Sequence, residues 1–329
     1  MLKLAIIDDY QDVARSFADW SAVEQRCAIT VFNHNLGGID AAAETLRDFD
    51  IICCMRERQP FPRAMFERLP KLRLLVSTSL RNRAIDMEAA TEHGVLVCAT
   101  GGEFGLITTA ELTWMLILAA MRHLPQEERA MRSGGWQGTI GQGLQGKTLG
   151  IIGLGRIGAR VASIGAAFGM RVLAWSQNLT AEAAQAKGAE RVEKDALLRE
   201  SHAITLHLVL SDRSRGIIGE REIGLMRPGA VLVNTSRGPL IDEAALLRAL
   251  QEKRIRAGLD VYDEEPLPAA HPLRACENAV LSPHLGYVTS EVYEVYYRDS
   301  VEDVLAFLNG APVRMLNPDA LSAARPPSL

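Results

Sequence analysis

Short apolar runs alternate with amphipathic stretches along most of this 329-residue chain. Runs at 2–8, 51–55, 72–78 and 94–98 are rich in Ile, Leu, Val and Cys, the composition of strands buried on both faces. Between them, residues 12–27, 40–48, 63–69 and 86–93 carry helical patterns. Such alternation predicts a parallel sheet covered by helices on both sides. Residues 108–124 read as a long apolar helix that ends before Pro125, and 133–146 as a glycine-dense loop. From residue 147 the pattern restarts. Strands are expected at 148–152, 171–175, 203–208, 230–234 and 255–260, with helices at 156–168, 181–187, 220–226 and 243–252. A last helix, 290–308, has apolar positions suited to packing back on the first domain, and 320–329 read as a tail. The expected fold class is therefore α/β, with two doubly wound parallel-sheet domains.

The strand at 148–152 runs into Gly153-Leu154-Gly155-Arg156-Ile157-Gly158 and then into a helix. In this setting G-x-G-x-x-G is the phosphate-binding turn of a dinucleotide fold. Gly153 permits the tight turn, Gly155 lets the backbone approach a pyrophosphate, and Gly158 lets helix and strand lie close. The free N–H groups of the helix N-terminus, at Arg156 and Ile157, face the anion. The first half of the chain has no glycine-rich turn of its own.

Composition narrows the class. With 36 basic against 40 acidic residues, and the basic ones scattered, nothing points to nucleic acid. The longest apolar stretch, 112–121, is about half of what a bilayer span needs. Asp8 and Asp9 interrupt the first apolar run too early for a signal peptide. The five cysteines form no C-x-x-C pair, which favours reduced thiols over a metal site. A cytoplasmic protein is expected.

Three further segments end at or just past expected strands: Asn234-Thr235-Ser236-Arg237-Gly238, Asp260-Val261-Tyr262-Asp263-Glu264-Glu265-Pro266, and Ser282-Pro283-His284-Leu285-Gly286. That edge of an open α/β sheet is where ligands bind. Together with the glycine turn, and in this order, these segments resemble the D-isomer-specific 2-hydroxyacid dehydrogenases, and the resemblance covers nearly the whole chain. It implies a Rossmann-type cofactor domain, 102–284, inserted in a discontinuous flavodoxin-like substrate domain, 1–101 and 285–329. It also implies homodimers formed through the cofactor domains, and a catalytic triad of Arg237, Glu265 and His284. The residue types suit the chemistry. Arg237 can grip a 2-oxo acid carboxylate with a planar fork. His284 can exchange a proton with the reacting oxygen. Glu265, favoured over Asp263 and Glu264 by its spacing from Asp260, can orient the imidazole. Thr235, Asp260 and Gly286 are further candidates for the nicotinamide end, and His207 for the wall of the cofactor cleft. His34, His93, His123, His202 and His271 have no supporting motif.

Two segments depart from the family pattern. The strand at 171–175 is followed by Ser176-Gln177-Asn178, where an acidic residue ordinarily holds the adenosine ribose 2′-hydroxyl. NAD is slightly favoured over NADP, and relaxed cofactor choice is expected. The substrate loop reads Ser79-Leu80-Arg81-Asn82 in place of a glycine-rich turn. Ser79, Leu80 and Arg81 are the candidates for binding the substrate carboxylate. Arg81, Arg56 and Arg58 form either a solvated basic rim or a site for a second anionic group, as in 3-phosphoglycerate. An NAD(H)-binding regulator is the alternative reading. A receiver-like module, suggested by Ile6-Ile7-Asp8-Asp9, does not suit the length or the other motifs.

Overall fold

The computed structural model describes residues 1–80 and 82–323. The chain divides into two compact units. Met1–Glu103 joins Thr289–Leu329 in unit 1, and Phe104–Val288 forms unit 2.

Unit 1 is a five-stranded parallel sheet of β1 (Leu2–Ile6), β2 (Cys27–Val31), β3 (Ile51–Cys54), β4 (Leu74–Ser77) and β5 (Leu96–Ala99), in the order β2-β1-β3-β4-β5. This is the flavodoxin-like order. Strands β3, β4 and β5 are buried at every position, which is why they read as unbroken apolar runs. The helix Ser290–Leu308 packs on this unit through Tyr293, Tyr296 and Tyr297. The Tyr297 hydroxyl donates to Asp9 Oδ1 at 3.1 Å, and its ring stacks near Phe17.

The helix expected over 12–27 is instead two short helices, Ala14–Phe17 and Ser21–Glu24, followed by β2. The Asp9 carboxylate accepts from the Val13 and Ala14 N–H groups, and Trp20 Nε1 donates to the Ala14 carbonyl. The Asp9 bonds fix where the first helix starts, and the Trp20 indole takes the Ala14 carbonyl that a longer helix would use. Cys-Ala-Ile-Thr-Val then alternates inward and outward as an edge strand. The expected tail, 320–329, begins inside a 3-10 turn, Pro318–Leu321, with Ala320 buried, and 324–329 lie outside the described residues.

Unit 2 is a seven-stranded parallel sheet: β6 (Thr148–Ile152), β7 (Arg171–Trp175), β8 (Glu190–Arg191), β9 (Ala203–Leu206), β10 (Val231–Asn234), β11 (Arg256–Leu259) and β12 (Ala279–Leu281). The order β12-β11-β10-β9-β6-β7-β8 is the Rossmann order extended by one strand. Successive residues serve opposite faces: Ile151 and Val231 pack in one core, Ile152 and Leu232 in the other. Two strands escaped expectation. β8 is two charged residues held by pairing with Leu173 and Ala174, and β12 is three residues long.

The apolar helix spans Phe104–Met121 and lies mostly within the core of unit 2. Its Leu116 leaves no room for a side chain at Gly258 of β11, where a Cβ would sit 2.9 Å away. Pro125 does not end this helix. The chain breaks at His123, which has a φ of 54°, and Pro125 lies in the first turn of the next helix, Leu124–Arg132, where its missing N–H costs nothing.

Candidate active site

All the motif segments of unit 2 emerge at the carboxyl edge of its sheet. The glycine turn follows β6. Gly153 has a φ of +102°, and a Cβ there would lie 2.7 Å from the His207 carbonyl, so only glycine fits. A Cβ on Gly158 would lie 2.2 Å from the Gly153 oxygen. At Gly155 a Cβ would meet nothing within 4 Å. The backbone is thus open at the N-cap of the helix Arg156–Ala167, with the Arg156 and Ile157 N–H groups in its first turn. An open backbone above unsatisfied helix N–H groups suits a pyrophosphate. The residues present fit a dinucleotide.

The Gly153 N–H donates to the Trp175 carbonyl at 2.9 Å, which ties the turn to the end of β7. Ser176, half-buried, and Gln177, exposed, follow directly. His207 follows β9. Both of its ring nitrogens are closed to solvent and lack a hydrogen-bond partner among the described residues. Burial pushes its pKa down to about 4, so the imidazole is neutral.

Beyond β10, the Asn234 side chain shapes the next loop. Its Nδ2 donates to the Arg237 carbonyl at 2.8 Å, and its Oδ1 accepts from the Ser236 N–H at 3.0 Å. Ser236 Oγ donates to Leu206 O of β9. Thr235 faces inward, with its hydroxyl 2.9 Å from that of Thr113. Arg237 Nη1 donates to the Ser236 carbonyl at 2.5 Å.

Glu265 and His284 meet. Glu265 Oε2 lies 2.5 Å from His284 Nδ1, and Oε1 accepts from the Tyr262 N–H at 2.9 Å. Burial raises the Glu265 carboxyl. The hydrogen bond and charge of His284, the Tyr262 N–H and the Arg237 guanidinium outweigh it and hold the group below the usual carboxylate range. Asp263, Glu264 and Glu265 are all exposed, and Glu265 is the one of the three whose carboxylate meets His284. With Nδ1 on Glu265, the imidazole presents Nε2 for proton exchange.

Asp260 is 1% exposed. Its Oδ1 accepts from Ser282 Oγ at 2.5 Å and the Leu285 N–H at 2.7 Å, and its Oδ2 accepts from the Gly286 N–H at 3.0 Å. The carboxylate fastens the loop that carries His284, whose own N–H donates to the Asp260 carbonyl. His284 has a φ of 55°, an uncommon backbone for a histidine, and these bonds hold it there. The Gly286 carbonyl accepts from Thr108 and Thr109. Thr108, Thr109, Thr113 and Ser282 are supporting residues that motif reading passed over. The only signal for the threonines was a polar interruption in an apolar helix.

In unit 1, Ser79 has a φ of 80°, and its N–H donates to Thr100 Oγ1 at 2.8 Å. That amide is already engaged, so among the described residues of the expected carboxylate loop the offer passes to Leu80, which is exposed. Arg81 lies outside the described residues. Arg56 Nη1 donates to the Tyr296 hydroxyl at 3.2 Å. Arg58 Nη1 donates to the Asp8 carbonyl at 2.6 Å, and its guanidinium lies 4.5 Å from the centre of the Tyr10 ring. The motif-free histidines have ordinary partners. His202 Nδ1 accepts from the Thr148 N–H, and His271 pairs with Glu243.

Comparison with known proteins agrees with this geometry. Residues 114–286 match the NAD-binding domain of the D-isomer specific 2-hydroxyacid dehydrogenases. The chain is 40% identical to the glyoxylate reductase of Aeropyrum pernix over 273 residues, 80% of this chain and 81% of that one. It is 35% identical to the D-3-phosphoglycerate dehydrogenase of Methanocaldococcus jannaschii over 315 residues, 94% of this chain and 58% of the relative. The crystal structure of phosphoglycerate oxidoreductase from Vibrio cholerae O395 superposes with a TM-score of 0.88 at 36% identity, covering 94% of this chain and all of that one. The chain belongs to the D-isomer specific 2-hydroxyacid dehydrogenases and is a nicotinamide-dependent oxidoreductase of the CH–OH group.

Proposed function

We propose that Arg237, Glu265 and His284 carry the reaction and that the substrate is a small 2-oxo acid with a single carboxylate. The observation that carries this is the contact between Glu265 Oε2 and His284 Nδ1, with the Arg237 charge felt at the same carboxylate. The cofactor, when bound, supplies the hydride in reduction and takes it in oxidation. Arg237 holds the substrate carboxylate and draws electron density from the neighbouring carbonyl. His284 delivers a proton from Nε2 to the carbonyl oxygen as it gains charge, and in oxidation takes the hydroxyl proton back. Glu265 keeps the ring in place and offsets the charge it carries. His207, neutral and without a hydrogen-bond partner among the described residues, is a wall of the cofactor site. The remaining cofactor contacts fall to Thr235 and Gly286, with Asp260 acting through the His284 loop.

Arg56 and Arg58 have protein partners, which favours a compact monoanionic acid over a phosphorylated one. The absence of a carboxylate after β7 supports acceptance of both NAD(H) and NADP(H). A homodimer through unit 2 is supported by apolar side chains left exposed there, Trp136 at 73% and Ile140 at 93% among them. The five free thiols support a reducing, cytoplasmic setting.

The test is reduction of glyoxylate, hydroxypyruvate and 3-phosphohydroxypyruvate with NADH and with NADPH, using His284→Ala as control. The unphosphorylated acids are expected to be the better substrates. Preference for the phosphorylated acid overturns the substrate reading, and full turnover by His284→Ala overturns the assignment of roles.

A further inference from the structure

Lys187 lies just beyond the helix Ala181–Gln185, and its Nζ donates to the Leu154 carbonyl at 2.7 Å. Leu154 is the second residue of the glycine turn. Its side chain is buried in the same apolar cluster as Ala184, which brings the end of that helix to the turn. Ile152 and Trp175 are in register, and the Gly153 N–H donates to the Trp175 carbonyl. The Leu154 carbonyl, which holds the lysine ammonium, lies two residues past Ile152 and so beside the edge where β7 ends and Ser176 follows.

In a dinucleotide fold that edge takes the adenosine ribose. A carboxylate ending the second strand accepts the 2′-hydroxyl and repels a 2′-phosphate, whereas a cation favours the phosphate. Here the strand ends in Ser176-Gln177-Asn178, with no carboxylate. An ammonium has three donors, and the Leu154 carbonyl takes one. We propose that Lys187 is a cofactor-specificity residue: with the Ser176 hydroxyl, it receives the 2′-phosphate of NADP(H), a group that NAD(H) lacks. This rests on the reading of the turn as a dinucleotide site and adds to it the residue that distinguishes the two cofactors.

A lysine that only capped a carbonyl would support the turn equally for both cofactors, so binding separates the two roles. NADPH and NADH are titrated by calorimetry into the full-length wild type and into Lys187→Ala, Lys187→Glu and Lys187→Arg. Loss of a charge-assisted bond to phosphate predicts about tenfold weaker NADPH binding in Lys187→Ala, with NADH held within about twofold. Lys187→Glu should weaken NADPH further, and Lys187→Arg should retain it. The unchanged NADH constant shows that the variants are folded. Equal weakening of both cofactors overturns the proposal, as does a wild type that binds NADH and not NADPH. A wild type that binds neither cofactor overturns the dinucleotide site itself, and the proposal with it.

Discussion

Glu265 and His284 are 19 residues apart in the chain, yet Oε2 and Nδ1 lie 2.5 Å from each other. One comes from the loop after β11, the other from the end of β12, and those strands are parallel neighbours. Because the Glu265 carboxyl is held below its usual range, it stays ionised at neutral pH and loses its charge only as pH falls through that depressed value. Glu265→Gln keeps the shape and removes the charge. Turnover is expected to fall by roughly 10- to 100-fold, by a near-constant factor from about pH 5 to 8, with cofactor affinity retained. Steady-state rates across that range, with cofactor titrations, check it. Wild-type turnover at pH 7 would remove Glu265 from the mechanism.

Arg237→Lys keeps the charge and loses the planar fork. Turnover is expected to drop by about 100-fold, with a raised KM for the oxo acid and no change in the KM for the cofactor. A kinetic series at saturating cofactor separates the two constants. Near-normal turnover would show that a point charge suffices there.

Ile140 and Trp136 stand exposed in the loop between the helix Leu124–Arg132 and β6. If a second copy covers them, Ile140→Asp should shift the protein from dimer to monomer in light scattering at micromolar concentration. A wild-type monomer, or an unaltered dimer in the variant, would place the interface elsewhere.

Asp8 is 1% exposed, and both carboxylate oxygens are closed to solvent. Burial pushes its pKa up to about 6, against the pull of Arg58, Tyr10 and His34. An acid whose folded pKa is raised stabilises the fold below its unfolded value and loses that contribution as pH rises through the folded one. Wild type should therefore lose stability between about pH 4 and 6 relative to Asp8→Asn, on the order of 2–3 kcal/mol. Urea midpoints at pH 4.5 and pH 8 measure it. The same pH dependence in both proteins would count against a buried, titrating Asp8.

Much of this was legible before the structure. The turn at Gly153 was readable because its constraint is local: a strand, a tight turn and a helix start within a dozen residues. Glu265 was favoured over Asp263 and Glu264 by the resemblance, whose motif fixes the spacing from Asp260. Other features depend on contacts between distant segments. Residues 12–27 carry apolar positions compatible with a helix, and only pairing with β1 makes Cys27–Val31 a strand. Glu190–Arg191 has no strand character until Leu173 and Ala174 lie beside it. Asp260 reads from the motif as a cofactor contact, and its hold on the His284 loop shows only with its partners. Its three donors come from a loop more than 20 residues away. Lys187 is an ordinary surface lysine until its helix packs beside the turn.

β12 is three residues long, lies at the sheet margin and is bonded to β11 on one side only. His284 is suspended from it. Marginal strands open more readily than the structure around them, and an opening of β12 would part His284 from Glu265. Asp260, Thr108 and Thr109 thus act as tethers that keep this margin shut, and loosening one of them should cost the aim of His284 before it costs the fold.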